Sequence, residues 1–264
     1  MRLRSSLFWG VVLIVLAVLI LVNQQGWLQG NLFGYLWPAM IVLVGIWLLV
    51  GSLGKGRSTT PAQKLSIPLE SARSARIKLD HAAGRLNIQA GASSTELLNG
   101  DFGTEVDFKS QMDADQLQVK VRNSPHFWTW YPGENLDWNI RLNGDITLNL
   151  KIDSGASAST LDLTALKVVD LDINTGASST EVSLPANAGN TLVAVHSGAA
   201  SLTIHVPVGV AARIKVKSGI ASVNVDSNRF PRLDGGLYQS ADYATATNRA
   251  DIAIDTGVGS VEIK

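Results

Sequence analysis

The sequence has no cysteine among its 264 residues, so neither a disulfide framework nor a thiolate metal site is available to it. Acidic residues are missing before Leu65, a stretch that holds five of the 22 basic residues. The rest of the chain therefore carries 17 basic residues against 22 acidic ones. An acidic body argues against a nucleic-acid partner, which would need a basic surface to displace counterions.

Two long apolar runs lie near the N-terminus. Residues Leu7–Val22 and Leu32–Val50 contain no charged side chain, and each approaches the ~20 residues that cross a bilayer. We therefore predict a two-helix transmembrane hairpin over residues 1–53, with helices at about 7–23 and 32–52. A cleaved signal peptide is the alternative for the first run, although the "VNQQGW" that follows lacks a small-x-small cleavage site.

The distribution of positive charge predicts the orientation of this hairpin. Arg2 and Arg4 precede the first run, whereas Lys55, Arg57 and Lys64 follow the second. No basic residue lies between the runs. Because basic residues favour the cytoplasmic side, we expect a multi-pass protein of the cell membrane with both termini in the cytoplasm.

Beyond the hairpin, a Gly/Ser/Thr/Pro-rich stretch at 54–64 predicts a flexible linker, and residues 65–264 form the remaining domain. Glycines recur in this domain about every 21 residues, with one longer interval of 38. They are Gly155, Gly176, Gly198, Gly219 and Gly257. Gly91, with Leu86 and Ile88 before it, also fits this frame.

Aliphatic residues occupy the same offsets from each of these glycines. Five positions before the glycine the sequence reads Leu150, Leu171, Val193, Ile214 and Ile252. Residues between the aliphatic positions are mostly polar, so the period is two, which predicts half-buried strands. Such strands must stack to bury their apolar faces, and we predict an all-β solenoid of ~21-residue repeats with the glycines at structural turns.

The residues around each glycine suggest why the motif recurs. A small hydroxyl residue precedes the glycine, as in Ser154 and Thr175, and could bond the turn backbone. The glycine itself is expected to adopt positive φ. An apolar residue follows, as in Ala156 and Ala177, and we expect it to turn inward.

The residues around the glycines do not match the known catalytic or ligand-binding motifs. Ser157 and Ser178 lack the second glycine and the following helix of a nucleophile elbow, and no phosphate-binding loop is present. A row of calcium sites is disfavoured by the residues that lie two positions before each glycine. They include Asp153 and Asp255 but also Lys217, whose positive charge would repel a cation. We therefore expect a non-enzymatic protein without a cofactor or a metal site.

Two segments interrupt the repeats. The first spans about 124–138 and contains the candidate interaction residues Phe127, Trp128, Trp130 and Tyr131. It either binds a partner or membrane, or covers one end of the solenoid with Trp138 entering the next strand, and we favour the cover. The second spans about 229–250 and is expected to cover the stack near its C-terminal end.

Two parts of the sequence resemble known families. The run "WPAMIVLVGIWLL" from Trp37 to Leu49 resembles the LiaI/LiaF-type transmembrane region of bacterial envelope proteins. The runs from Ile77 to Phe102 and from Leu233 to Lys264 are similar to the toast-rack domain and the related putative-adhesin β-solenoids.

The resemblance implies the fold, membrane attachment and a link to cell-envelope stress responses, in which LiaF-type proteins restrain a sensor kinase. We accordingly expect a membrane-anchored scaffold or regulator whose partners are the lipid bilayer and a protein such as a membrane sensor. Assembly into a homo-oligomer stays open. An exported adhesin-like surface domain with the reverse topology is the alternative.

Overall fold

In the computed structural model, residues 63–124, 135–233 and 236–264 are described, and twelve β-strands form one sheet among them. The strands are β1 (Gln63–Pro68), β2 (Ser74–Ala90), β3 (Glu96–Phe102), β4 (Val106–Asp113), β5 (Gln116–Asn123), β6 (Trp138–Leu142), β7 (Thr147–Asp162), β8 (Lys167–Ser183), β9 (Asn190–His205), β10 (Val210–Val225), β11 (Leu237–Gln239) and β12 (Asn248–Ile263). No helix within these ranges has the length and apolar character needed to span a bilayer. The predicted transmembrane hairpin and most of the linker lie outside the described residues.

Six long strands of 16 or 17 residues stack in parallel and form the rungs of the solenoid. Their order in space is β2, β7, β8, β9, β12 and β10. The predicted aliphatic ladders are confirmed, since Leu150, Leu171 and Val193 pair rung to rung and are buried. Alternation along each strand therefore sends one set of side chains into a common core.

The rungs do not stack in sequence order. Strand β12 lies between β9 and β10, so the last rung in sequence is internal and β10 is terminal. The segment between β10 and β12 accounts for the long glycine interval because it covers part of β10 before the chain turns back. Within it, β11 pairs with Arg213–Lys215, and Phe230 and Tyr243 are buried.

The opposite end of the stack is covered by two separate sets of strands. Strand β5 pairs with the first half of β2, and β4 pairs with β5. Strand β6 pairs with the second half of β2 and continues through β3 to β1. Trp138 begins β6 and is fully buried, which confirms that it enters the next strand.

The assignment of Gly91 to the repeat frame is wrong. Gly91 follows the end of β2, and Leu86 and Ile88 pair with Ser159 and Leu161 in the second half of β7. The residue of β2 at the corner is Ala82, whose carbonyl faces Gly155. Sequence reasoning was misled because the same alternation of apolar residues occurs on both sides of the corner.

The corner glycines are required for close stacking and not for positive φ. Gly155, Gly176, Gly198, Gly219 and Gly257 are all absent from the positive-φ positions. A Cβ added at any of them would lie 2.5–3.0 Å from a carbonyl oxygen of the adjacent rung. Rungs that stack ~4.8 Å apart leave no room for a methyl group that points along the stack.

The residues after the glycines lie outside the core, contrary to the expectation that they turn inward. Ala156, Ala177 and Ala199 are exposed, and Val258 and Ile220 are 52% and 81% exposed. Two positions after the glycine, Ser157 and Ala200 are buried and Ser178 and Ala221 are partly buried, whereas Gly259 is exposed. The corner thus shifts the inward-facing set by one residue.

Candidate functional site: the corner groove

An open groove of about 760 Å³ runs along the corners of five rungs and the end of β5. It is lined by Asp80, His81, Ala82, Arg122, Asn123, Asp153, Ser154, Asn174, Thr175, His196, Ser197, Gly198 and Asp255. Parallel pairing brings these residues together because equivalent positions at or just before the corner lie side by side on adjacent rungs. Four rungs contribute two or three residues each, and β12 contributes only Asp255. We call this surface the corner groove.

A single polar ladder forms one wall of the corner groove and extends one rung beyond it. In spatial order it consists of Arg122, Asp80, Asp153, Asn174, His196, Asp255 and Lys217. The carboxylates lie inside this ladder, and a cation stands at each end. The order follows from the position of β12, which places Asp255 beside His196.

The half of the ladder nearest β5 is tied together by lysines from the neighbouring column. Lys78 Nζ lies 2.7 Å from Asp153 Oδ2 and 3.4 Å from Asp80 Oδ1, and Lys120 Nζ lies 2.8 Å from Asp80 Oδ2. Asn174 Nδ2 donates to Asp153 Oδ1 at 2.9 Å. These side chains therefore already have partners within the domain.

These contacts also set the charge states. Burial acts to raise the pKa of Asp153, but hydrogen bonds from Lys78 and Asn174 and nearby positive charge outweigh it and lower the pKa. The hydrogen bond to Asp153 raises the pKa of Lys78, although partial burial opposes it. Asp153 and Lys78 are thus an ion pair at neutral pH.

The other half of the ladder makes no such contacts with the described residues. His196, Asp255 and Lys217 are exposed, and within the described part of the chain their side chains make no hydrogen bond or ion pair. These three residues are therefore available to a ligand. Across the same described ranges, no group of three or more His, Asp or Glu side chains is placed to hold a metal ion.

His81 lies at the floor of the corner groove and is 1% exposed. Its Nε2 lies 3.1 Å from the carbonyl oxygen of Leu136, and its ring packs 4.9 Å from that of Trp138. Burial lowers the pKa of His81, and the bond to Leu136 and the charge of Asp137 oppose the shift only in part. The neutral ring therefore donates through Nε2 and holds the chain that leads into β6.

The hydroxyl residues before the corner glycines act differently from the prediction. Ser197 Oγ donates to Thr256 Oγ1 on the next rung at 2.9 Å, and Ser157 Oγ donates to Ser154 Oγ at 3.1 Å. These bonds join side chains along and across rungs and do not reach the turn backbone. Of the two serines considered as nucleophiles, Ser157 is buried and Ser178 is partly exposed.

The candidate interaction residues of the aromatic segment, Phe127, Trp128, Trp130 and Tyr131, lie outside the described residues. The corner groove was not identified from the sequence as a site. Its column of polar residues was visible, but its spatial order depends on which rungs are neighbours.

Two known protein families match successive parts of this chain. The family model described as the N-terminal domain of toast_rack, DUF2154, matches residues 55–205, more than half of the chain. The chain belongs to this toast_rack family. A model described as the LiaI-LiaF-like transmembrane region matches residues 7–49. Both resemblances found in the sequence are confirmed.

Solved structures extend the fold comparison for this toast_rack chain. A putative cell adhesion protein from Clostridium sporogenes ATCC 15579 is similar with a TM-score of 0.71 and 20% identity, covering 76% of this chain and 97% of that one. A putative adhesin from Bacteroides fragilis NCTC 9343 has a TM-score of 0.25 and 8% identity, over 78% of this chain and 98% of that one. The first comparison supports the fold alone, and the second carries no argument. No curated protein matches the sequence.

Proposed function

We propose that this protein is a non-enzymatic, membrane-anchored scaffold or regulator that holds a protein partner at the inner face of the membrane. The observation that carries the proposal is the adjacency of the two family matches. The LiaI-LiaF-like region ends at residue 49 and the toast_rack match begins at residue 55. A β-solenoid joined so closely to a membrane region is confined to the bilayer surface, where its neighbours are other membrane proteins.

The corner groove is the proposed binding surface. The other half of its ladder presents an imidazole, a carboxylate and an ammonium group along three adjacent rungs, from His196 through Asp255 to Lys217. Spaced charges of both signs suit a polar protein segment that lies along the groove. Rigid strands hold these groups in place, so binding needs little ordering of the solenoid.

The partner class follows from the resemblance to LiaF-type proteins. Two helices within residues 1–53 would anchor the chain, and a membrane sensor protein of the cell-envelope stress response would be the partner. Regulation would then consist of occupying the sensor's cytoplasmic surface.

The proposal is tested by crosslinking from the groove itself. A photoreactive amino acid replaces His196 in the full chain, and native membranes are irradiated before purification. We expect a discrete adduct with a membrane protein, and we expect Asp255→Lys to abolish it because the substitution reverses a charge that the partner contacts.

Asp242→Lys is the matched control, since Asp242 is an exposed aspartate in the covering segment and is not part of the corner groove. It should leave the adduct unchanged. The proposal fails if no adduct forms, or if both lysine variants reduce the adduct equally while the proteins remain folded.

An exported adhesin-like domain is the second candidate. The likeness in fold to the clostridial structure, whose name refers to cell adhesion, is the observation that favours it. It requires the β domain to lie outside the cell, so membrane topology separates the two candidates.

A further inference from the structure

Among the described residues, strands cover only one half of the terminal rung β10. Its first half pairs with β11 at Arg213–Lys215, and Ser240 exchanges hydrogen bonds with Ala212. Its second half, Ile220–Val225, pairs with β12 on one side. On the other side no strand among the described residues pairs with it, so a row of backbone donors and acceptors is open.

This open edge carries three branched aliphatic side chains and no charge. Ile220 is 81% exposed, and Val223 and Val225 are only partly buried although they pack against the core. Their counterparts on the neighbouring rung, Val261 and Ile263, are fully buried. From Ser218 to Val225 the strand contains no charged residue. The open edge therefore has both unsatisfied strand pairing and an uncovered end of the hydrophobic core.

The described edges at the opposite end of the sheet are protected in the usual ways. The edge strand β1 contains Lys64 and Pro68, and the edge strand β4 contains Asp107, Lys109 and Asp113. Charges and proline on an edge discourage pairing with another chain. Head-to-tail stacking of copies, which would join β10 to that end, is therefore disfavoured.

From this contrast we infer that the open edge of β10 is a dimer interface, occupied by the same edge of a second copy. Two copies related by a two-fold axis would pair their Ile220–Val225 segments in antiparallel fashion, and pairing of like with like closes the assembly at two chains. No like charges would face each other across this segment. The valines of each copy would cover the open core of the other.

Membrane attachment favours this pairing. An edge of six residues buries little surface, so in solution the dimer would be weak. Anchoring both copies in one membrane raises their effective concentration and makes a small interface sufficient. This inference does not depend on the proposed function, because the open edge and the corner groove use different residues.

Crosslinking in the full-length protein provides the test. Since the chain has no cysteine, Ser222→Cys places a single thiol in the open edge. Directly opposed or diagonal residues in an antiparallel pair have Cβ atoms within about 8 Å, so a bis-maleimide of similar span should convert the protein in native membranes to a crosslinked dimer. Ser110→Cys, on exposed β4, should remain monomeric under the same conditions.

A charge at the same position should prevent pairing. Ser222→Lys is expected to convert the membrane-embedded protein from pairs to single chains, counted by stepwise photobleaching of one dye per chain in lipid vesicles at low protein density. Ser179→Lys is the control because Ser179 occupies the same exposed column on the internal rung β8; it should remain paired. A wild type that is single in the vesicles, unchanged pairing in Ser222→Lys, or crosslinking of Ser222→Cys only to a different protein would each overturn the inference.

Discussion

Each corner glycine lies against a carbonyl oxygen of the neighbouring rung, so its missing side chain sets how closely the rungs approach. Strand β2 is the one rung with alanine, Ala82, in place of glycine at its corner. On that side of β2, β5 pairs only up to Asp80 and β6 only from Leu86, so no rung crosses the corner where the Ala82 methyl group lies. A Cβ is tolerated where the stack has no further corner.

Replacing Gly176 by valine should destabilise the domain. Its Cβ would lie 3.0 Å from the Gly155 carbonyl oxygen, and the two further methyl groups would force backbone displacement. We expect a loss of about 1–3 kcal/mol, the usual range for overpacking. Chemical denaturation followed by circular dichroism measures it.

Ser178→Ala is the matched control, two positions along the same rung. Ser178 accepts one long hydrogen bond, 3.3 Å from Thr180 Oγ1, and its counterpart on β9 is already Ala200. The change should stay within about 0.5 kcal/mol. Equal losses in the two variants would show that the corner does not depend on close backbone approach.

His81 should make the stability of the domain depend on pH. Because burial lowers its pKa below the ordinary value of 6.5, the unfolded chain binds a proton that the folded chain does not. This contribution to stability is present above pH 6.5 and is lost progressively as the pH falls below that value. Denaturation at about pH 7.5 and about pH 5.5 measures the difference.

His81→Gln should reduce this pH difference, since glutamine does not titrate and can still donate to the Leu136 carbonyl. A pH difference that persists in full in His81→Gln would assign the effect to other groups.

At the scale of elements, β12 holds the C-terminal half of the solenoid together because it joins β9 to β10. It pairs along nearly its whole length with β9 on one side and β10 on the other. The chain reaches this position only after the segment following β10 has passed over the terminal rung. The last element in sequence is thus needed to join the two elements before it.

Two valines in one ladder test whether β12 is internal and β10 is the terminal rung. Val261 of β12 and Val223 of β10 are paired, yet Val261 is buried and Val223 is only partly so. Val261→Ala should cost more stability than Val223→Ala, because a cavity forms only where the site is enclosed. We expect a difference of about 1 kcal/mol or more in the free energy of unfolding. Stacking in sequence order would reverse the ranking.

At the scale of the whole molecule, the charge asymmetry of the sequence predicts which side of the membrane holds the β domain. Every basic residue before Leu65 flanks the two apolar runs, and none lies within or between them. The positive-inside rule then predicts that the solenoid lies in the cytoplasm. The proposed scaffold requires this topology, and the adhesin candidate requires the opposite one.

A single cysteine at exposed Ser227 provides the measurement. In intact cells we expect no reaction with a membrane-impermeant maleimide, followed by full labelling once the membrane is permeabilised. Ready labelling in intact cells would place the domain outside and favour the adhesin-like candidate.

Much of the fold could be predicted from the sequence because the relevant physics is local. Alternation of apolar and polar residues fixes which face of a strand is buried, and the regular glycine interval aligned five of the six rungs correctly. The corner itself was harder. Local pattern does not reveal that the glycines avoid a neighbouring backbone, or that Ala156 and its counterparts point outward.

Only the tertiary structure decided the order of the rungs. All six have nearly the same pattern, so any of them could pair with any other as far as local sequence is concerned. Long-range pairing places β12 inside the stack, and this one choice puts Asp255 beside His196 in the corner groove and leaves the second half of β10 open. The sequence by itself determined that rungs form and which side chains they bury, whereas the contacts between distant rungs determined where a partner can bind.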